Sequence, residues 1–371
     1  MGIQERIKDI EEEMARTQKN KATEYHLGLL KARIAKLRAQ LLEPPKGAGG
    51  KGEGFDVIRL GDARVALVGF PSVGKSTMLS TLTETESVVA AYEFTTLTCI
   101  PGNLTYKGAT IQLLDLPGII EGASEGRGRG RQVIAVARAS DLVLMVLDAH
   151  NGHEQKTKLT KELEAVGIRL NQRRPDVNIN VRKNTGFSFN ATCPLTHMNG
   201  ELARTICFEY KIHNAEILVR EDITIDQFID VLESKNRSYV PCLYVYNKVD
   251  SVSIEDVEDL SKEEDSVVIS CNMGLNLDYL VERMWDTLQI TRVYTKRPGQ
   301  HPDLTQPLIL TERRGGFSVA AACQQIHKDL VRDFKCAFLW GKSSKHPAQR
   351  AGLRHRLYDE DVIQILKKNK T

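Results

Sequence analysis

The feature that most constrains the fold is an eight-residue loop, GFPSVGKS at 69–76, which follows an apolar run and precedes a helix-forming segment. It matches the pattern G-x-x-x-x-G-K-[ST], in which a strand leads into the loop and a helix leads out. Gly69 and Gly74 allow the backbone to curl so that its N–H groups face phosphate oxygens. Lys75 adds a positive charge at the β- and γ-phosphates, and Ser76 offers a hydroxyl to Mg²⁺. The loop predicts a nucleoside triphosphate site on an α/β sheet; a coincidental glycine-rich turn is the alternative.

Strand-length apolar runs alternate with helical segments after this loop. Buried strands are predicted at 64–70, 110–116, 141–149, 241–250 and 266–271, and helices at 75–83, 130–140 and 154–166. This order is typical of a doubly wound parallel sheet with helices on both faces. From about 169 to 238 the pattern changes: polar and apolar residues alternate at 177–190 and 206–219, and 224–234 is helical. We therefore expect an inserted α+β subdomain there.

The two ends of the chain have patterns of their own. Apolar residues at spacings of three and four predict a helical hairpin over 1–44, at Ile3, Ile7, Ile10, Met14, Leu27, Leu30, Ile34, Leu37 and Leu41. The hairpin either packs on its own domain or serves as a docking arm for a partner or RNA. A glycine-rich linker follows at 45–62, then the nucleotide domain at 63–290. Short strands around a helix at 318–333 suggest a ubiquitin-like roll over 291–371.

Three further motifs lie in the segments that end predicted strands. In DLPG (115–118), Asp115 is suited to hold Mg²⁺ through water, and the Gly118 N–H to approach the γ-phosphate. In NKVD (247–250), Asp250 can accept the N1–H and amino hydrogens of guanine; facing adenine, that carboxylate would lack partners. Asn247 either bonds the base or ties this loop to 69–76, and the stem of Lys248 can cover the ring. SCN (270–272) follows one strand later, with N–H groups for the guanine carbonyl.

Together these stretches resemble a known family. GFPSVGKST, FTTLT, DLPGIIEGA, NKVD and SCN, in that order, resemble the Obg-related branch of translation-factor GTPases. The whole chain resembles the developmentally regulated GTP-binding proteins, and MGI and ARTQKNKATEYHLGLLKA resemble their type 2 branch. GGFSVAAAC and HPAQRAGLRHRLYDEDVIQI resemble a TGS domain.

The resemblance implies a P-loop GTPase fold of class α/β, with an N-terminal helical hairpin, an insert like the second domain of ribosomal protein S5, and a C-terminal ubiquitin-like TGS domain. It implies GTP and GDP as ligands, Ser76 and Thr96 as magnesium ligands, association with translating ribosomes, and a stabilising partner with an RWD-type domain. Lys75, Thr96 and Gly118 are expected to act in catalysis, and Asp115 to reach the metal through water. The predicted nucleotide-binding residues are Gly69, Phe70, Pro71, Ser72, Val73, Gly74, Lys75, Ser76, Thr77, Phe94, Thr95, Thr96, Asp115, Leu116, Pro117, Gly118, Asn247, Lys248, Asp250, Ser270, Cys271 and Asn272.

Ile119 occupies the position where many GTPases carry a Gln that orients the attacking water. A hydrophobic residue there matches this family, but Ile has no hydrogen-bonding atom, so slow intrinsic turnover is expected. Two routes to faster turnover are open. A partner or the ribosome reshapes the loop at 121–132, or a K⁺ ion supplies the positive charge that an arginine finger would provide. Related K⁺-using enzymes favour Asn at the position of Ser72. The RGRGR stretch at 127–131 lies in this loop and is interpreted as part of a conformational switch, with an independent RNA site as the alternative.

Charge and cysteine content narrow the partners and the compartment. The chain has 51 Lys+Arg and 48 Asp+Glu, whereas residues 291–371 carry 16 and 7, a net charge of +9. This end is therefore expected to contact rRNA or tRNA through 342–345, 354–356 and 367–370; a solvated basic surface is the alternative. The seven cysteines form no C-x-x-C pair, and no leader or membrane-length apolar run is visible, which favours a reducing, cytoplasmic location. A scaffold that holds GTP without functional turnover is the alternative to a GTP-hydrolysing switch.

Overall fold

The structure is a computed structural model that describes residues 2–18, 20, 23–42, 61–83, 100–116, 136–183 and 186–368. Its chain divides into two compact units. The first unit comprises Met1–Phe55, Ile119–Arg138 and Thr157–Val240; the second comprises Asp56–Gly118, Ala139–Lys156 and Pro241–Thr371. The domain boundaries drawn from the sequence stay predictions. Strands and helices are numbered along the chain.

The second unit is built on a six-stranded sheet with the order β11-β10-β4-β1-β3-β2. Its strands are β1 (Ala63–Val68), β2 (Ile100–Tyr106), β3 (Ala109–Asp115), β4 (Leu142–Asp148), β10 (Cys242–Asn247) and β11 (Ser266–Val268). All neighbours are parallel except the edge strand β2, which pairs antiparallel with β3. Every residue of β1 is buried, as expected of a parallel strand covered on both faces. Helices α3 (Lys75–Leu82), α7 (Ile254–Ser261) and α8 (Leu277–Leu288) alternate with the strands, whereas α4 (Gly152–Ala165) begins in this unit and continues in the first from Thr157.

A second sheet of five strands forms the C-terminal part, with the order β13-β12-β16-β14-β15. Its strands are β12 (Thr291–Thr295), β13 (Asp303–Leu310), β14 (Phe334–Trp340), β15 (Gln349–Ala351) and β16 (Asp361–Lys367), and α9 (Val319–Ile326) packs on one face. The helix predicted at 318–333 is therefore too long. It ends because His327 is extended, with a φ of −164°, and its ring accepts the Asp329 N–H at 3.2 Å. Sequence reasoning also missed β15.

The C-terminal sheet is docked against the end of the six-stranded sheet where the parallel strands begin. Ile309 of β13 is 3% exposed and belongs to the six-stranded sheet's core. Arg314 pairs with Asp62 at 2.9 Å, just before β1, and also bonds the Gly61 carbonyl. Arg313 pairs at 3.4 Å with Asp141, just before β4. The two sheets therefore form one body held by a buried apolar contact and two ion pairs.

The first unit joins the N-terminal hairpin to the inserted segment. It contains α1 (Ile3–Arg16), α2 (Glu24–Leu42), β5 (Ile168–Leu170), β6 (Val177–Val181), β7 (Phe187–Ala191), α5 (Gly200–Glu209), β8 (Ala215–Val219), α6 (Ile225–Leu232) and β9 (Ser238–Val240). The alternating pattern at 206–219 suggests a strand, but its first four residues complete α5, and β8 begins only at Ala215. Asn199 caps that helix by accepting the Leu202 N–H at 2.8 Å, and Ile206 and Cys207 lie on its buried face.

Helix α2 explains how the hairpin is held. Ala32 is fully buried in the core of the insert, and a Cβ added at Gly28 would lie 3.1 Å from Leu202. Small residues on this face let α2 approach α5 and α6 closely. Lys31 also pairs with Asp226 of α6 at 2.6 Å. Of the two interpretations of the hairpin, packing on its own unit describes α2; a docking role stays a prediction.

Candidate nucleotide site

The loop at 69–74 connects β1 to α3 and curls tightly around its own lysine. The Lys75 ammonium donates hydrogen bonds to the carbonyls of Gly69, at 2.9 Å, and Phe70, at 2.8 Å, and the residue is 8% exposed. Burial lowers the pKa of Lys75, and the nearby Asp115 carboxylate partly restores it. An anion entering the loop would add negative charge beside this buried ammonium, as Asp115 already does.

Two glycines leave the space that the loop needs. Gly74 has a φ of +95°, and a Cβ there would collide with the Asn247 side chain. A Cβ at Gly69 would collide with the backbone carbonyl of Val146. Ser72 takes a left-handed conformation, with φ +64°, without being glycine. The conformation of this loop therefore depends on two positions where a side chain does not fit.

The remaining loop residues predicted to contact nucleotide differ in exposure. Val73 is 2% exposed, whereas Pro71, Ser72, Ser76 and Thr77 are exposed and Phe70 is half-buried. Leu116 is fully buried, and its N–H donates to the Leu67 carbonyl at 3.2 Å. The Leu116 side chain is therefore part of the core, and only its backbone lies at the end of the sheet where the loop at 69–74 begins.

Two oxygen groups suited to magnesium lie side by side at the ends of α3 and β3. The Ser76 hydroxyl donates to the Asp115 carboxylate at 2.8 Å, and Asp115 is 8% exposed. Hydroxyl and carboxylate oxygens are ligands that Mg²⁺ prefers, usually together with waters and phosphate oxygens. The donor set thus fits Mg²⁺. Within the described parts of the chain, no three His, Cys, Asp or Glu side chains are gathered as a metal site by themselves.

Asn247 joins two loops of the site. Its amide nitrogen donates to the Val73 carbonyl at 2.8 Å, and its oxygen accepts the Cys271 N–H at 3.1 Å. The sequence left two roles open for this residue, bonding the base or tying the loop to 69–76. Because Asn247 is 3% exposed and both ends of its amide are used, the structure favours the tie.

Lys248 is positioned by a residue that sequence reasoning missed. It adopts φ +65°, and its ammonium pairs with Asp148 at 2.8 Å. Burial raises the pKa of Asp148, but the hydrogen bond and charge of Lys248 and the His150 N–H outweigh this and hold the pKa below its ordinary value. The available signal was that Asp148 lies near the end of the predicted strand at 141–149. That this strand pairs with the one that ends in Asn247 is seen only in the structure.

The predicted base-selecting carboxylate is exposed and oriented by one hydroxyl. Asp250 accepts the Ser270 hydroxyl at 2.5 Å, and Ser270 is fully buried while Asp250 is exposed. The Ser270 oxygen in turn accepts the Met273 N–H at 3.3 Å. Cys271 is 8% exposed, and Asn272 is exposed. Asp250 is thus fixed at one oxygen while its carboxylate stays open to a ligand.

Several predicted residues lie outside the described part of the chain, so their predictions stay as made. They are Phe94, Thr95, Thr96, Pro117 and Gly118, together with Ile119 and the loop at 121–132.

Among the predicted residues that the structure describes, Lys75, Ser76 and Asp115 lie together at one end of the sheet. No helix among the described residues has the length and apolar character needed to cross a membrane.

Three family models match the chain. The model described as "50S ribosome-binding GTPase" matches residues 64–181, that for the C-terminal region of the same domain matches 184–290, and "TGS domain" matches 291–367. The solved structure of the Schizosaccharomyces pombe YchF GTPase is similar with a TM-score of 0.46 and 13% identity, covering 83% of this chain and 98% of that one.

Curated relatives match almost end to end. Developmentally-regulated G-protein 1 of Arabidopsis thaliana is 62% identical over 368 residues, 99% of this chain and 92% of that protein. Developmentally-regulated GTP-binding protein 2 of Homo sapiens is 60% identical over 99% of this chain and 100% of that protein. The chain belongs to the family of developmentally regulated GTP-binding proteins, and it is a GTP-binding protein with a P-loop GTPase domain and a C-terminal TGS domain.

Proposed function

We propose that the protein hydrolyses GTP to GDP and phosphate and acts as a switch on translating ribosomes. The observation that carries this proposal is the pairing of Ser76 with Asp115 at 2.8 Å beside the buried Lys75. It gathers a cation, a hydroxyl and a carboxylate where β- and γ-phosphates are expected. This is the combination that phosphoryl transfer needs, because catalysis there is mainly positioning and charge stabilisation.

Each residue has a proposed task in that reaction. The loop at 69–77 binds the phosphates, and Lys75 stabilises the charge that develops as the bond to the γ-phosphate breaks. Ser76, Thr96 and, through water, Asp115 would hold Mg²⁺, which supplies positive charge at the β- and γ-oxygens when bound. The Gly118 N–H is proposed to meet the γ-phosphate. Ile119 cannot orient water, so we expect slow turnover unless the ribosome, a partner or K⁺ assists.

Guanine selection is assigned to Asp250. Its exposed carboxylate, held by Ser270, can accept two hydrogen bonds from guanine but finds no such donor pair on adenine. Asp250→Asn should relax this selectivity. Calorimetric titration with GDP and ADP measures it, and equal binding of the two nucleotides by the unmodified protein would refute the assignment.

The wider biological role is proposed from charge and family. The TGS domain, with its net charge of +9, is proposed to contact rRNA or tRNA, and a protein with an RWD-type domain to stabilise the chain in the cytoplasm. Lys75→Ala separates a switch from a scaffold. If the protein is a switch, Lys75→Ala should lose GTP turnover and change how ribosome binding depends on nucleotide. Lys161→Ala, at an exposed position of α4, is the control and should change neither. Ribosome binding that ignores both nucleotide and Lys75 would refute the switch.

Turnover itself is tested by measuring phosphate release with and without ribosomes, in K⁺ and in Na⁺. Acceleration by ribosomes supports a ribosome-linked switch, and acceleration in K⁺ alone supports the cation. If folded protein with Mg²⁺ gives no calorimetric signal with GTP or GDP, the assigned site is wrong.

A further inference from the structure

The TGS sheet has one face turned away from its own core. Val293, Ala337, Leu339 and Ile363 are buried under α9 and its neighbours. Successive side chains of a strand point to opposite faces. Tyr294, Phe338, Trp340, Val362 and Gln364, each next to one of these core residues, therefore lie on the other face.

Strand pairing groups three aromatic rings on this face. Trp340 is paired with Val362 of β16, and Val362 is paired with Tyr294 of β12. In the next row, Phe338 is paired with Gln364 on one side and with Arg350 of β15 on the other. Paired side chains across a sheet lie about 5 Å apart. We call Tyr294, Phe338 and Trp340, with the residues between them, the aromatic face.

Only part of this side of the sheet is covered. Ile309, paired with Arg292 near the β13 edge, is 3% exposed because it packs into the core of the GTPase sheet. By contrast, Phe338, Trp340 and Gln364 remain partly exposed. The aromatic face thus begins where the docking contact with the GTPase sheet ends.

Cations flank the rings. The Lys296 ammonium lies 4.6 Å from the centre of the Trp340 ring. Arg350 is exposed beside Phe338. The two carboxylates just before β16, Asp359 and Glu360, are already bonded to Arg292 at 2.7 and 2.9 Å. Asp361, the first residue of β16, is buried and accepts the Ser343 and Tyr358 N–H groups. The face therefore combines flat apolar surfaces with positive charge that neighbouring carboxylates do not cancel.

We propose that the aromatic face stacks unpaired bases of RNA, while Lys296 and Arg350 contact the phosphates on either side. This rests on the proposed ribosome role and names the form of RNA and the residues that take it. Bases in single strands stack on aromatic side chains of exposed sheets, whereas a duplex hides its base faces and is recognised by shape and backbone. The basic segment at 354–356, which the sequence suggested, lies instead in the loop whose His355 carbonyl accepts the Val319 N–H of α9.

The first test compares ring variants of the full chain, using anisotropy of labelled RNA. We expect a twelve-nucleotide oligo(U) or oligo(A) to bind more tightly than a twelve-base-pair RNA duplex. Trp340→Leu should weaken single-strand binding about tenfold, within the range for the loss of one stacked base, and Trp340→Phe should stay within about threefold of the parent. Should Trp340→Leu fail to fold, as judged by circular dichroism, single-strand binding by Phe338→Leu is measured instead and should be weakened in the same way. Preference for the duplex, unchanged binding by the leucine variants, or no RNA binding overturns the proposal.

A matched pair of charge variants provides the second test. Lys296→Gln/Arg350→Gln and Arg354→Gln/Arg356→Gln each remove two positive charges from the same domain. The first pair should reduce the slope of log affinity against log salt by about 1.4, since each single-strand phosphate contact contributes about 0.7, and the second pair should leave it near the parent. The opposite ranking would assign RNA to the α9 side and overturn the proposal. GTP turnover, measured on the same preparations, reports separately on the GTPase assignment and should be unchanged in both pairs.

Discussion

Asn247 offers the sharpest test of how the nucleotide site is built, because its amide is the tie between the loop at 69–74 and SCN. In Asn247→Ala, the Val73 carbonyl and the Cys271 N–H would both lose their partner, at distances of 2.8 and 3.1 Å in the parent. The two residues are 2% and 8% exposed, so water replaces the amide poorly. Each orphaned buried group costs about 1–3 kcal/mol. With two such groups, we expect the free energy of unfolding to fall by about 2–6 kcal/mol.

Urea denaturation of the full chain, with and without saturating GDP, measures this loss. Asn214→Ala is the matched control, because that amide donates one exposed hydrogen bond, 3.0 Å to the Lys183 carbonyl; its cost should stay below about 1 kcal/mol. Asn247→Asp keeps the acceptor for Cys271 but sets a buried carboxylate oxygen against the Val73 carbonyl oxygen, so it should destabilise at least as much as Ala. GDP affinity should fall in the same order. An Asn247→Ala variant within about 0.5 kcal/mol of the parent would refute the tie.

Three further predictions concern the loop, its neighbouring ion pair and the docked sheet. Gly69→Ala should abolish GDP binding in calorimetry with the fold retained by circular dichroism, because the added Cβ meets a β4 carbonyl that cannot yield. Asp148→Asn should lower stability at pH 7 and by less at pH 3: the folded state holds the pKa of Asp148 below its ordinary 3.8, so its contribution is fully present above that value and declines as pH falls toward and through the folded-state pKa. Urea melts at both pH values check this. Arg314→Ala, which breaks the pair with Asp62, should loosen the TGS domain and raise its hydrogen exchange, whereas Arg332→Ala, an exposed TGS arginine, should not.

Much of the fold was predictable from the sequence because its strongest signals are local. The buried runs at 64–70 and 141–149 became β1 and β4, and the loop between β1 and α3 followed from GFPSVGKS. β2 was missed because its sequence, IPGNLTY, contains both proline and glycine. An antiparallel edge strand tolerates these residues where a central strand does not.

The misread start of 206–219 has a different cause. The residues of α5 show the four-residue spacing of a helix, Leu202 to Ile206 and Ala203 to Cys207, but the alternating residues that follow obscure it.

The hydrogen-bond and ion-pair partners of the site residues were less predictable than the secondary structure. Asp148 meets Lys248 only because β4 and β10 are neighbours in the sheet, a fact of strand order rather than of any motif.

Within the second unit, the strands of the six-stranded sheet also separate the proposed nucleotide site from the contact where the TGS sheet docks. β1 ends at the loop at 69–74 and begins next to Asp62, which pairs with Arg314. Six residues of strand span about 20 Å, so the TGS docking contact lies at the opposite end of the sheet from Lys75. Because that contact is a buried apolar side chain with two ion pairs, the TGS domain should move with the GTPase sheet as one body. A nucleotide-dependent change is then expected in the predicted switch segments around Thr96 and after Asp115, rather than in the orientation of the TGS domain.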